Sequence, residues 1–520
     1  ITLDCRYNGG LTLAKGSSMS IIIGLTIINS SSNGLNLYDS QNLVVLCTLR
    51  KNNGNGILVT SNQNYIGLNP KNLSVFTANK ISHNKKNGIK LLRANNNTII
   101  KNRILYNGQN GIYLKMSLNN TIGGTVYTNA DGKTNNPTGS EGKTTPVFII
   151  PPLGNQISGN YRNGVYVYKH SDSNTFNGNF IGTDYDGNTG KGNRCNGVLV
   201  EESHFNVFKG CDFNQNPFVY YNVVSGNKLN GFHIKNSNGT IIQGNFAGIN
   251  AGNSVSVANG HNGLLVSGSS TNTTVGGPIP LGNNFSGNNK NGIKVSDQAS
   301  GFLSYNSFCG LAAFGGAVPN GKNGIHITSS GLNNQIRTNV FSGNIKNGVK
   351  LSGQANHINI DPNFCGSTTN GESPLPNQGS GLVLSGHANN NFIGSQEPSV
   401  MPNSIFSGNE VNGITIRGCA HDNVIYHCNV GLSTTSNVPI RNGKLAILLT
   451  DHCYQNVIVD CRIDGDILLN DCAKNNKLIA NPIMGSNNTD LSIVNDTNQI
   501  IDNSNEPNLI IPYKQKLITP

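Results

Sequence analysis

The chain has 520 residues, among them 63 Gly and no Trp; only 12% are charged, and 36 Lys and Arg against 25 Asp and Glu give a formal net charge of +11. This is far from an average globular composition, and acids so few and so scattered exclude the regular Asp column of a Ca²⁺-binding repeat. No apolar run approaches the length needed to cross a bilayer, so no membrane span is expected.

The chain opens Ile1-Thr2-Leu3-Asp4-Cys5 without Met, basic region or apolar leader, as expected of a processed chain or of a fragment. Asn33-Gly34-Leu35 then introduces an Asn-Gly-aliphatic step. It returns at Asn55, Asn87, Asn110, Asn163, Asn196, Asn230, Asn262, Asn291, Asn323, Asn347 and Asn412, with Ser380-Gly381-Leu382 and Asn442-Gly443-Lys444 as worn copies. Subtracting positions gives steps of about 22 to 24 and about 29 to 34 residues, and fixed periods in this range mark solenoids, propellers or arrays.

The stretch from Asn174 to Val200 reads as short strands at Thr175-Phe176, Phe180-Ile181 and Val198 to Val200, separated by polar turns, with no helical period. Strands this short cannot each close a hairpin and return at a 22-residue period, so a coil of three strands per turn is predicted. An insertion over residues 124–154 carries the apolar piece Val147 to Ile150, suited to docking on the coils or on a partner. From Asn505 the pattern stops, and residues 505–520 read as a C-terminal tail or cap.

The pattern N-x-I-x-G-N-x-I-x-x-N-x-x-N-G-I resembles the repeat of the right-handed parallel β-helix, the pectin-lyase-like superfamily. The similarity is closest to secreted or surface repeat proteins that alternate N-T-I-G-G … G-N-x-I-S-G-N coils with G-N-x-I-G-T-D coils. Asn120 to Gly124 with Gly154 to Asn160 is the first form here, and Gly178 to Asp184 is the second. The resemblance implies an all-β, single-stranded right-handed parallel β-helix, a solenoid of about 18 coils over residues 1–504, or on the order of 85 Å at about 4.8 Å per coil. It implies an extracellular or surface-exposed location, secreted or on a virion. It does not fix a chemistry, because the superfamily hosts lyases, hydrolases, epimerases, adhesins and tailspikes.

Stacked coils place like Asn above like Asn, so the Asn pairs five apart, Asn97 and Asn102 or Asn174 and Asn179, are expected to form side-chain ladders; Asn also tolerates the left-handed backbone at corners. Cys47, Cys211, Cys428 and Cys461 occupy the second Asn slot, and Cys309 and Cys365 stand where Ile181 stands, which makes them small buried residues. Cys428 with Cys461, and Cys453 with Cys472, fall on adjacent coils within potential disulfide reach. No zinc spacing occurs, and His421, His427 and His452 do not align, so neither metal nor cofactor is expected.

Alternation sends the residue after each aliphatic outward. That column reads Asn36, Leu58, Lys90, Tyr113, Tyr166, Leu199, His233, Leu265, Lys294, His326, Lys350, Val383 and Thr415, and two residues further on come Lys115, Tyr168, Glu201, Lys235 and Arg417. Aromatic faces stack on sugar rings and cations attract carboxylated or sulfated sugars, so Lys90, Tyr113, Lys115, Tyr166, Tyr168, His233, Lys235, Lys294, His326 and Lys350 are the candidate glycan-binding residues. Tyr166, Glu201, His233 and Lys235 are the candidates for catalysis, with Tyr or His as the base of a β-elimination and Lys235 at the substrate carboxylate.

The loops at 182–193, 248–259, 310–320, 366–377 and 431–442 return every second coil and should stack into a ridge. A rigid structural or adhesive element is therefore expected, with an acidic polysaccharide or glycosylated surface as partner. Further partners are copies of itself or another structural protein, met through the ends, the ridge or the tail. The alternative is a polysaccharide-active enzyme, lyase or hydrolase. Nucleic acid is not expected, because the basic charge is spread along the chain and no recognition motif is present.

Overall fold

The computed structural model describes residues 1–67, 78–124, 127–128, 148–149, 154–210, 221–278, 281–313, 315–394, 403–434, 438–470, 472–483, 491–493 and 497–501. Among these residues all regular structure is β, with no helix. The chain forms two compact units, residues 1–252 with 257–261 and 277–283, and residues 253–256 with 262–276 and 284–520. The expected tail at 505–520 and the Cys211 slot lie outside the described residues.

Most turns consist of three short strands, as the spacing predicts; in those that begin at Leu264 and Ile467 the third is reduced to an isolated bridge. In the first unit Val165–Tyr168, Thr175–Asn177 and Phe180–Ile181 make one turn, and Val198–Glu201 begins the next. The two turns pair parallel and in register, Val165 with Val198 through Tyr168 with Glu201. This is a parallel β-helix. Among the described residues the sheet that holds the post-Asn-Gly strands has eight strands in the first unit, from Leu11–Leu13 to Phe232–Lys235, and nine in the second, from Leu264–Ser267 to Leu491–Ile493.

Alternation fixes which side chains fill the interior. Ile112 and Leu114 are fully buried, whereas Tyr113 and Lys115 between and after them point out; Ile293, Val295 and Lys294 repeat the arrangement in the second unit. Burying each such aliphatic contributes about 1.5–3 kcal/mol. The strands of each turn pair only with those of the turns beside it, so stability accumulates largely turn by turn. Phe176 and Phe208 stack inside the first unit with centroids 4.5 Å apart and planes 13° from parallel.

The expected Asn ladders are present. In the first unit the amides of Asn52, Asn84, Asn107, Asn160, Asn193 and Asn227 each donate to the Asn of the following turn, at 2.9–3.1 Å. Asn97 and Asn102 belong to two further columns of the same polarity, donating to Asn120 and Asn155. The Asn-Gly column runs the other way: Asn55 donates to Asn33, Asn87 to Asn55 and Asn110 to Asn87. Buried amides satisfied on both sides avoid the cost of an unmet donor or acceptor.

The left-handed backbone expected of corner Asn occurs at Asn96, Asn119, Asn272 and Asn390, and it falls on the residue before the ladder slot whatever that residue's type. Gln63, His83, Asn96, Lys101, Tyr106 and Asn119 have φ between 52° and 59°, and each precedes a ladder Asn. Gly178, at φ 63°, does the same before Asn179, which accounts for the recurring Gly-Asn. The Gly of Asn-Gly answers a different constraint. A Cβ on Gly111 would lie 2.3 Å from Ile157 Cγ2 and 2.7 Å from the Gly164 carbonyl oxygen, so only glycine lets successive turns approach there.

Two readings are corrected. Asn442 does not start a worn Asn-Gly copy: it accepts from Asn409 in another ladder, and Ile447 pairs with Ile414, so Ala446 fills the glycine slot. The described cysteines are free thiols, including Cys428, Cys461, Cys453 and Cys472. Cys428 and Cys461 do occupy the Asn slot, where each Sγ turns toward a backbone carbonyl, Tyr426 O at 3.3 Å and Val459 O at 3.4 Å, as the replaced amide would. Cys309 and Cys365 are fully buried, as expected. Within the insertion, Tyr127–Thr128 pairs antiparallel with Phe148–Ile149.

Candidate functional site

The outward face of the post-Asn-Gly strands gathers the candidate residues into two clusters, one in each unit. In the first unit Lys90, Tyr113 and Tyr166 are register partners on successive strands, and so are Lys115, Tyr168 and Glu201. Tyr113 stacks on Tyr166 at 5.3 Å between centroids, and Tyr166 lies 5.2 Å from Tyr168. Lys90 Nζ stands 5.8 Å from the Tyr113 ring centre and Lys115 Nζ 6.0 Å from that of Tyr168, both within cation–π range.

Glu201 closes this cluster. Its Oε2 accepts from the Tyr166 hydroxyl at 2.6 Å and its Oε1 from Lys235 Nζ at 2.8 Å. Burial opposes ionisation of Glu201, but the hydrogen bonds from Lys235 and Tyr166, helped by the charges of Lys235 and His233, outweigh it and hold the carboxyl below its ordinary value. Burial, then the bond to Glu201, push the Tyr166 phenol up, so it stays protonated. His233 sits beside Leu199 in register. The four catalytic candidates are thus brought together, yet the carboxylate is engaged on both oxygens and the phenol is a donor rather than a base.

The second unit holds a different arrangement. Lys294, His326 and Lys350 are register partners on three successive strands. With Lys290, Lys322 and Lys346 they line a cavity of about 300 Å³ whose remaining lining is Asn262, Asn291, Asn323 and Asn347. Among the described residues, that lining contains no carboxylate. Burial, then Lys322, lower the pKa of Lys294; Asp297 pulls the other way, and Lys290 adds a smaller lowering. Burial lowers Lys350 likewise, followed by Arg417, Lys346, Lys294 and Lys322. For His326, burial and the charges of Lys294, Lys350 and Lys322 push the pKa down to about 3, and its Nε2 lies 2.8 Å from Ser352 Oγ.

The floor of this groove is the Asn-Gly ladder. Asn291 donates to Asn262 Oδ1 at 2.8 Å, Asn323 to Asn291 at 2.9 Å and Asn347 to Asn323 at 2.9 Å, while Asn347 Oδ1 accepts the Ser380 N–H at 2.9 Å. The ladder therefore engages all four carbonyl oxygens, those of Asn262, Asn291 and Asn323 twice and that of Asn347 once. Where the preceding turn offers no Asn, at Asn33 and Asn412, the amide donates instead three residues on, to Asn36 Oδ1 and Thr415 Oγ1. At Asn291 and Asn347 the residue three on is a lysine, which only donates. Walls and floor are therefore rich in donors and poor in acceptors, which are the Asn oxygens and one nitrogen of neutral His326.

Alternation located Lys294, His326 and Lys350 but missed Lys290, Lys322 and Lys346, which precede the Asn-Gly step. The available signal was Lys-Asn-Gly-aliphatic-Lys or -His, repeated at 290–294, 322–326 and 346–350. Outward register also did not guarantee exposure: Asn36, Val383 and Thr415 are only 6%, 4% and 6% exposed. Asn36 and Thr415 are held down by hydrogen bonds to Thr12 and Ser380.

The alternate-coil loops do meet. In the first unit Ala251 N–H donates to Gly187 O at 3.0 Å, and in the second Thr434 Oγ1 donates to Asn370 O at 2.8 Å. The acid of Gly-Thr-Asp serves the turn: Asp184 Oδ1 accepts the N–H of Asn188 at 2.9 Å and of Thr189 at 3.1 Å. Among the described residues no three His, Cys, Asp or Glu side chains come together as a metal site, and no helix is long and apolar enough to cross a membrane.

Residues 9–181 match the family model described as the right handed beta helix region. No curated protein matches the chain. Among solved structures the chain is similar to the Azotobacter vinelandii mannuronan C-5 epimerase AlgE6 A-module, at 10% identity over 96% of this chain and 88% of that one, with a TM-score of 0.21. It is similar to the Agl-KA catalytic domain at 14% identity, over 88% of this chain and 62% of that one, with a TM-score of 0.22. Tailspike protein 3 of bacteriophage CBA120 aligns at 8% identity, over 98% of this chain and 56% of that one, with a TM-score of 0.22.

Proposed function

We propose that this right-handed parallel β-helix repeat protein is a rigid extracellular or virion-surface element, structural or adhesive, that holds acidic glycans on the outward face of its post-Asn-Gly strands. One observation carries the reading: five lysines crowd a cavity of about 300 Å³ that no carboxylate lines, so their mutual repulsion has no partner within the lining. An anionic ligand relieves that repulsion, and cations held on a rigid strand column lose little freedom when it binds. In the first unit the Tyr113, Tyr166 and Tyr168 rings, flanked by Lys90 and Lys115, offer stacking faces for sugar rings. Further contacts, with copies of itself or another structural protein, are assigned to the ends, the loop ridge or the tail.

The alternative is a polysaccharide-active enzyme, and the observation that favours it is the Glu201, Tyr166 and Lys235 cluster. Its weakness is that Glu201 has both oxygens engaged and Tyr166 is held as a phenol. Retention of the protein on immobilised acidic polysaccharides, read together with absorbance from unsaturated product ends, tests both readings. Retention that is lost in Lys290→Gln/Lys322→Gln/Lys346→Gln, without new absorbance, is the expected result. Absorbance that disappears in Glu201→Gln would replace the adhesive reading with a lyase, and unchanged retention in the triple variant would remove the groove from the account.

A further inference from the structure

We infer that the lysine groove of the second unit takes a densely sulfated glycan, with more than one sulfate ester per sugar ring, rather than a carboxylated polysaccharide with one charge per ring. The inference rests on the anion-binding reading above and adds the ligand's charge density and hydrogen-bonding type. Two independent features of the groove lead to it.

The first is the number of charges in a given length. The lysines stand on, or in the turn just before, three successive strands, and neighbouring strands are about 4.8 Å apart, so the cationic rows span roughly 10 Å, about the length of a disaccharide. Lys290, Lys294, Lys322, Lys346 and Lys350 place five ammonium groups along that length. Two uronate rings bring about two negative charges and leave most of the repulsion in place. Two rings with two or three sulfates each match it.

The second feature is polarity. Lysine donates only, and the ladder engages the Oδ1 atoms of Asn262, Asn291 and Asn323 twice and that of Asn347 once. A sugar hydroxyl laid on this floor accepts a hydrogen bond readily, but its own hydrogen finds few acceptors among so many donors. A buried donor left unmet costs about 1–3 kcal/mol. A sulfate ester has three terminal oxygens that only accept, so each sulfate that replaces a hydroxyl removes one unmet donor and adds one charge. Carboxylated glycans keep most of their hydroxyls and incur that cost.

The test is isothermal titration of the full chain with a heparin hexasaccharide, a hexamer of polygalacturonate and a single-stranded oligonucleotide of the same total charge as the heparin, all at fixed salt. The heparin oligosaccharide is expected to bind at least about 30-fold more tightly than the uronate hexamer, with a steep fall as salt rises. Lys294→Gln/Lys322→Gln/Lys350→Gln is expected to lose at least about 10-fold, whereas Lys191→Gln, an exposed lysine outside the groove, keeps the parent affinity. Equal affinity for the uronate and sulfated hexamers overturns the charge-density inference and leaves anion binding standing. Tighter binding of the oligonucleotide makes the ligand a nucleic acid and overturns the glycan assignment. No binding of any of the three, or equal losses in Lys191→Gln and the triple variant, overturns both this inference and the anion-binding reading.

Discussion

Lys294 and His326 lie side by side in register on successive strands of the second unit, and Lys350 occupies the same place on the strand beyond. An imidazole between two ammonium groups, largely removed from water, stays neutral, and its pKa falls to about 3 from an ordinary 6.5. Because the folded value is the lower one, the unfolded chain takes up a proton that the folded chain refuses as pH drops below 6.5. Stability is therefore lost progressively from about pH 6.5 down to about pH 3. Denaturant midpoints across that range should fall more steeply for the parent than for His326→Gln. Parallel curves would mean that His326 is not held neutral by its neighbours.

The groove lysines should trade stability for binding. Replacing Lys294 by Gln removes repulsion from Lys322 and Lys290 and should raise the unfolding free energy by on the order of 0.5 kcal/mol while weakening polyanion binding. Thermal unfolding and polyanion retention, measured on the same preparation, check this. A variant that melts lower would show that the lysine is part of the packing rather than a strained cation.

Glu201→Gln loses two charge-assisted hydrogen bonds, from Tyr166 and Lys235. Since the lysine side chain is 43% exposed, the loss is discounted to about 1–2 kcal/mol at pH 7. The folded pKa of Glu201 lies below its ordinary 4.5, so this contribution is present above pH 4.5 and disappears as pH falls through the folded value. The difference between parent and variant should shrink on acidification over that range. In spectrophotometric titration, one tyrosine of the parent should ionise well above the ordinary 10 and return toward it in the variant.

Asn107 tests the ladders. Its amide donates to Asn160 Oδ1 and to Ile81 O, and its Oδ1 accepts the backbone and amide N–H of Asn84. Asn107→Ala strands groups on both neighbouring turns and should cost about 2–4 kcal/mol. In the column that contains Cys47, by contrast, Asn179→Cys should cost less than Asn179→Ala, because a thiol there still turns toward a backbone carbonyl, as Cys47 does toward Val45 O at 3.3 Å. Equal costs for the two substitutions at Asn179 would contradict that account.

The coil was legible because its determinants repeat. Asn-Gly marks a close approach of successive turns, the next aliphatic is inward, and Asn five residues apart stack, so one turn describes the rest. The groove was only half legible. Lys294, His326 and Lys350 lie in strands, where alternation gives direction; Lys290, Lys322 and Lys346 lie in the preceding turn, where it gives none. Nor does alternation report what covers an outward residue, and that is why Val383, expected on the open face, is buried. Asn442 misled for a related reason: Asn-Gly is a sign of the slot, and at Ala446 a different small residue fills it.

The most direct test of the groove as an anion site is the proton titration of His326 by NMR, with its resonance assigned by loss in His326→Gln, in the free chain and with a saturating heparin hexasaccharide. The account predicts a pKa of about 3 in the free chain and a marked rise in the complex, because sulfates between Lys294 and Lys350 would cancel the charges that suppress protonation. A pKa unchanged by a ligand that binds elsewhere on the chain would contradict it.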